Sequence, residues 1–260
     1  MILPASYANG FAPRDGQPLY PGLWRGCVGA WAPCLGPTGL TIRDWSGFGL
    51  HGTLVNGATF GVAYRYAIIS DGVDDYFGTT SFSSLGNLRT TPWSFGGWFS
   101  WDVTTGTQNA MTISSTRDNA SSDVGITTRA GGNIRLESNG GSTLLATSIT
   151  PVAGRVYHCF ATWDGTTPRL FVDGVQFSGS GLPSNVVPTQ AIVGRYKALN
   201  FYDARQGKSD DIRIYNRAIT TSEIRLLASR RGIAYELAPR RRSSSAVLFN
   251  RRRRLLLGAT

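Results

Sequence analysis

Apolar residues recur at alternate positions in short runs along this chain. Gly and Asp-Gly pairs separate the runs, a pattern of half-buried strands joined by tight turns. The clearest unit is Val156–Trp163, followed by Asp164-Gly165 and an apolar run over 169–172. A second pair, Asp173-Gly174, sends the chain back through Val175 and Phe177. Asp-Gly supplies the positive φ that a tight hairpin turn needs. Further strands are expected over 63–70, 93–103, 110–114, 133–138, 191–195 and 211–215. The alternation places Trp31, Trp98 and Trp163 in strands as core residues, whereas Trp24 and Trp45 fall in loops, open to sugar stacking or to interface packing. Only one helix is expected. Thr220-Thr221-Ser222-Glu223 has the form of a capping box; Ile224, Leu227 and Ala228 then share a face, and Gly232 is placed to stop it.

The two ends break this pattern. Residues 1–21 are rich in Pro, Gly and Ala without periodicity and read as an extended arm. Residues 22–232 hold the strands and the helix, and 233–260 form a basic tail. Residues 229–260 carry nine Arg against one acid, Glu236, and so hold eight of the chain's ten excess positive charges. The clusters Arg240-Arg241-Arg242 and Arg251-Arg252-Arg253-Arg254 are interleaved with apolar blocks, among them Leu255-Leu256-Leu257. A solvated charge run and a phosphate-neutralising nucleic-acid contact are two readings of such a tail. The alternation of basic and apolar blocks favours a third, docking into a groove of another protein.

Composition narrows the chemistry. With 32 Gly and only 16% charged residues, the chain suits a turn-rich β fold. Cys27, Cys34 and Cys159 are odd in number and lack metal-ligand spacing, so reduced, mostly buried thiols are expected. Residues 1–24 lack a basic start followed by an apolar stretch, and no apolar run reaches membrane-spanning length. The chain therefore reads as made in a cytoplasm without a signal peptide and not inserted in a membrane. Gly47-Phe-Gly49-Leu-His-Gly52 matches a dinucleotide fingerprint in letters, but a strand and turn follow it where a helix is required. Only three Glu are present, Glu137, Glu223 and Glu236. None has the acidic neighbours on one strand that a two-carboxylate glycosidase needs. An enzyme is not expected.

Seven segments then appear in a telling order: Val28-Gly-Ala-Trp31, Asp44-Trp-Ser-Gly-Phe-Gly-Leu-His-Gly-Thr-Leu54, Asp71-Gly-Val-Asp-Asp-Tyr-Phe77, Phe95-Gly-Gly-Trp98, Tyr157-His158 through Thr162-Trp-Asp-Gly165, Leu170-Phe-Val-Asp-Gly174, and Ser209-Asp-Asp-Ile-Arg-Ile-Tyr-Asn-Arg-Ala218. With these the chain resembles the laminin-G/concanavalin A-like jelly rolls, in particular their bacterial and phage branch. The resemblance implies an all-β, two-sheet antiparallel jelly-roll sandwich with one short C-terminal helix and extended terminal arms. It also implies acidic loops that hold Ca²⁺, for which Asp44, Asp210 and Asp211 are the candidates. The alternative is that these Asp, with Asp71, Asp74 and Asp75, cap turns by accepting backbone N–H bonds. The run from Arg195 through Tyr196, Phe201 and Tyr202 is the candidate loop for a glycan or partner. A lectin-like body without catalytic acids, flanked by arms, is expected to be a phage virion protein. It would be a capsid or tail decoration in several copies, docked to other virion proteins through its termini. A free carbohydrate-binding protein is the alternative, and a glycoside hydrolase of the same fold the third reading.

Overall fold

A computed structural model describes residues 5–7, 10–12, 17–36, 39–61, 66–79, 84–115, 123–129, 132–138, 141–195 and 204–238. Two eight-stranded antiparallel sheets form a sandwich. The front sheet runs Ser142–Ala146, Ile134–Ser138, Asp123–Thr128, Gln108–Ser114, Gln190–Val193, Tyr76–Thr79, Gly52–Val55 and Thr41–Ile42 in spatial order. The back sheet runs Val175–Ser178, Pro168–Val172, Val156–Trp163, Trp93–Ser100, Gln206–Tyr215, Ala67–Asp71 and Thr59–Gly61. Cys27–Trp31 also pairs with Gln206–Tyr215. A separate two-stranded hairpin joins Ala5–Tyr7 to Gly10–Ala12. The jelly-roll expectation is met, and among the described residues no helix is long and apolar enough to cross a membrane.

Period-two alternation builds the main core. Trp93, Phe95 and Phe99 point inward from one back strand, and Tyr157, Cys159, Ala161 and Trp163 from its neighbour. They meet Phe77, Met111, Ile113, Val124, Ile126 and Leu136 of the front sheet. Gly96-Gly97 is required where three back strands crowd together. A Cβ at Gly96 would lie 2.1 Å from the Cys159 carbonyl oxygen, and one at Gly97 would lie 2.9 Å from that of Asp210. The second Asp-Gly turn is as expected, with Asp173 at φ 50° and Gly174 at φ 78°.

A second core covers the outer face of the back sheet. The helix α1, Thr221–Ser229, opens with the expected capping box: the Thr220 hydroxyl accepts from Glu223 N–H, and the Glu223 carboxylate accepts from Thr220 N–H at 2.8 Å. Ile224 and Leu227 pack with Phe160, Phe171, Tyr215, Leu23, Trp24 and Trp45. Gly232 does not end α1, which stops at Ser229. It takes the left-handed conformation (φ 73°) three residues later and starts the 3-10 turn Ile233–Tyr235. Ile233 and Ala234 are buried in this second core. The boundary expected at residue 232 therefore cuts through it.

The ends of the body meet. Leu19 N–H donates to the Glu236 carbonyl at 2.7 Å, Ala238 N–H donates to the Gln17 carbonyl at 2.8 Å, and Pro18 faces Leu237 between them.

Candidate functional site

The three expected calcium ligands do not share a site. Asp44 is buried, and its carboxylate accepts four donors: Ala30 N–H (3.0 Å), Ser46 N–H (2.8 Å), the Ser46 hydroxyl (2.7 Å) and Leu50 N–H (3.0 Å). Asp210 Oδ1 accepts from Cys34 N–H (3.0 Å) and Asp211 N–H (2.8 Å), while Oδ2 faces Arg231 at 3.4 Å. Asp211 Oδ1 binds Arg213 Nε at 2.9 Å, and Oδ2 accepts from Gly232 N–H at 2.9 Å. These groups hold loops to the back sheet, the turn-capping role. Burial pushes the Asp210 carboxyl up to about 7, and the neighbouring Asp211 charge adds to the shift.

Asp211 anchors the most heavily buried charge of the second core. Arg213 is fully buried, with its guanidinium 4.7 Å from the Trp24 ring and 4.6 Å from the Tyr235 ring. Trp24 and Trp45 are therefore interior residues and not sugar platforms. Cys27 and Cys159 are buried and Cys34 is half-buried, all as free thiols. Burial pushes Cys27 up to about 12, so it is inert.

Trp98 reverses the expectation made for it. Its neighbours Gly97 and Phe99 face inward or pack against strands, so the indole stands on the outer face of the back sheet, half-buried and edge-on to His158 at 5.1 Å. It lines a cavity of about 330 Å³ with Gly154, Arg155, Val156 and Arg231. Arg231 also walls a neighbouring cavity of about 360 Å³, lined by Cys34, Leu35, Arg230, Gly232 and Glu236. An indole floor with guanidinium walls suits a flat, hydroxylated ligand, which stacks on the ring and accepts bonds at its edge. Residue parity was the signal: Trp93, Phe95 and Phe99 facing inward leave position 98 outside.

Beneath Trp98, burial pulls His158 from 6.5 down to about 4. The Asp211 charge opposes the shift and the Arg213 charge adds to it. The unfolded chain takes its proton near the ordinary value and the folded chain only near 4, so this contribution is complete above pH 6.5 and is lost as pH falls toward 4. Asp210, raised to about 7, works in the opposite sense over the same window. His158→Phe keeps the stack on Phe160 (5.6 Å, 14°) and removes the titration. Its stability advantage over the unaltered chain should grow by about 3 kcal/mol on going from pH 6.5 to 4, as read from urea midpoints. A constant difference would show that His158 titrates normally.

The remaining expectations fall at the edge of the described residues. Arg195 is buried rather than displayed. It donates to the Asp74 carbonyl at 3.1 Å and lies 5.0 Å from the Tyr76 ring. Tyr196, Phe201 and Tyr202 lie outside the described residues, as do Arg240, Arg241, Arg242, Arg251, Arg252, Arg253, Arg254, Leu255, Leu256 and Leu257. Each glutamate is held by an arginine: Glu137 by Arg129, Glu223 by Arg217 and Glu236 by Arg230.

The sequence itself decides the family. A family model for the concanavalin A-like lectin/glucanases superfamily matches residues 71–225. The chain belongs to this superfamily. Its sandwich is similar to Trypanosoma rangeli sialidase in complex with sialic acid, with TM-score 0.61 and 16% identity over 78% of this chain and 32% of that one. It is also similar to the binding domain of Paraclostridial Mosquitocidal Protein 1, with TM-score 0.61 and 15% identity over 79% and 52%. The receptor binding domain of botulinum neurotoxin D matches with TM-score 0.61 and 10% identity over 80% and 53%. The superfamily member thus spans about a third of the sialidase and half of the two toxin chains, and at these identities the likeness is one of fold. A search of curated proteins returned no match.

Proposed function

We propose that the protein is a non-enzymatic, lectin-like recognition module carried on a phage virion, attached through its two terminal segments. The ladder between residues 17–19 and 236–238 carries this reading. It brings residues 17–19 and 236–238, the two ends of the body, to one place, which suits a single attachment point for the segments that continue from them. The charge asymmetry of residues 229–260 supports a docking role for the tail, with other virion proteins as partners and several copies per particle. On this reading the protein is made in the host cytoplasm and leaves it within the particle.

A binding role has separate support. Glycosidic catalysis needs two carboxylates, Asp or Glu, astride the scissile bond; the three glutamates are ion-paired to arginines, and the buried Asp44, Asp210 and Asp211 are taken up by backbone donors and arginines. The Trp98 cleft offers stacking and guanidinium donors, the chemistry of a carbohydrate site. Two of the similar folds carry the description of a binding domain.

The full chain on a glycan array should retain a saccharide without releasing product. Trp98→Ala should weaken retention about tenfold or more, the effect of losing one stacked ring at about 1.4 kcal/mol or above. Released sugar would contradict the non-enzymatic reading, and Trp98→Ala binding as strongly as the unaltered chain would remove the cleft from it.

A further inference from the structure

We propose that the Trp98 cleft binds a saccharide that carries a carboxylate, with a sugar ring on the indole and the carboxylate on Arg231. This rests on the binding reading above and names the ligand class of that site. Trp98 stands midway along one row of the back sheet. It pairs in register with Asp210 on one side and with His158 on the other, and residues paired in this way share a face. Each end of the row carries a carboxylate that holds an arginine. Asp210 Oδ2 faces Arg231 Nη1 at 3.4 Å. At the other end Asp173 Oδ1 accepts from His158 N–H at 2.8 Å, and Oδ2 binds Arg155 Nη2 at 3.0 Å. The indole thus lies between two guanidiniums, and all three line one cavity of about 330 Å³.

The two arginines differ in setting. The Arg155 side chain is 58% exposed and lies over the Tyr157 ring at 4.6 Å, a solvated rim. The Arg231 side chain is 21% exposed, and its partner Asp210 is almost completely covered. Ionic hydrogen bonds strengthen where water is excluded, so Arg231 is the stronger anchor for an anion. Its hold on Asp210 is slack. A charge-assisted hydrogen bond usually measures about 2.7–2.9 Å, and Asp210 already spends Oδ1 on the N–H groups of Cys34 and Asp211. Burial and the Asp211 charge push the Asp210 carboxyl up to about 7, so near neutral pH its charge is only partly present. A sugar carboxylate stays ionised there, and its two oxygens match the guanidinium fork. His158, pulled down to about 4, adds no charge beneath the ring. A neutral sugar would use the indole and leave both guanidiniums to their protein partners. Arg231 also walls the second cavity, of about 360 Å³, so a chain anchored on it has room to continue over Leu35.

The full chain tested at pH 8 decides this, on an array that pairs each neutral oligosaccharide with the same oligosaccharide ended by a hexuronic or longer sugar acid. The acidic members should be retained about tenfold more strongly than their neutral counterparts. Arg231→Gln, checked for folding by circular dichroism, should lose that preference and change neutral retention by less than about twofold. Asp210→Asn keeps the Oδ1 acceptor and removes the competing charge, and it should strengthen acidic retention about threefold. Arg169→Gln, at the opposite end of the Val156–Trp163 strand and paired to Asp164, should change nothing. Equal retention of acidic and neutral members overturns the inference and leaves the binding reading in place. So does an acidic preference that survives Arg231→Gln, that Arg169→Gln abolishes equally, or that Asp210→Asn weakens. Retention of no member of either kind removes the binding reading itself, and the inference with it.

Discussion

Arg213→Ala should lower stability by about 3–5 kcal/mol, the cost of removing one partner from a buried ion pair. The guanidinium is completely inaccessible, is tied to Asp211 at 2.9 Å and lies against both the Trp24 and the Tyr235 rings. Truncation leaves Asp211 buried with a single backbone donor, Gly232 N–H, and opens a gap beside two aromatic rings. For a chain of this size, such a loss corresponds to a fall in Tm of roughly 10 °C. Replacing both charges should cost far less. Arg213→Met with Asp211→Asn keeps the volume, and Asn tolerates the left-handed backbone of residue 211 (φ 44°) while still accepting from Gly232. Urea denaturation of the three proteins decides the point. If Arg213→Ala costs under about 1 kcal/mol, the guanidinium is not the keystone of the second core.

The second large effect concerns where the body ends. A fragment of residues 17–238 should melt cooperatively and close to the full chain. A fragment of 22–232 should lose roughly 3–5 kcal/mol, because it removes buried Ile233, the Tyr235 ring and the hydrogen bond from Trp24 Nε1 to the Ala234 carbonyl at 2.9 Å. Tyr235 also stacks edge-on with Trp24 at 5.2 Å, so its loss exposes Trp24 and one face of Arg213. Equal melting of the two fragments would mean that residues 233–238 only rest on the surface.

The contrast between those fragments shows what the chain displays openly and what it hides. The sandwich was legible because strand alternation, Asp-Gly turns and the Thr220–Glu223 cap are local and each has one structural meaning. Residues 233–238 were not legible as body. They are too short to show a period and are flanked by arginine clusters, so composition assigned them to the tail. Arg213 and Arg195 are buried by stacking on rings brought from elsewhere in the chain, Trp24 and Tyr235 for one and Tyr76 for the other, and local sequence does not report such pairing. The Asp residues were ambiguous for a chemical reason. A carboxylate in a Gly-rich turn can accept N–H bonds or hold a cation, and only the count of donors separates the roles. Asp44 has four donors and is thereby a cap. Trp98 was within reach of sequence parity but was assigned to the core because tryptophan in a strand usually belongs there.

Attachment through paired termini is the central claim. Quantitative mass spectrometry of purified particles from cells producing either the full chain or the chain ended at residue 238 tests it most directly. The account predicts the full chain in several copies per particle and the shortened chain, though folded, absent from them. Equal incorporation of the two, or a full chain that stays entirely in the soluble lysate, would contradict it.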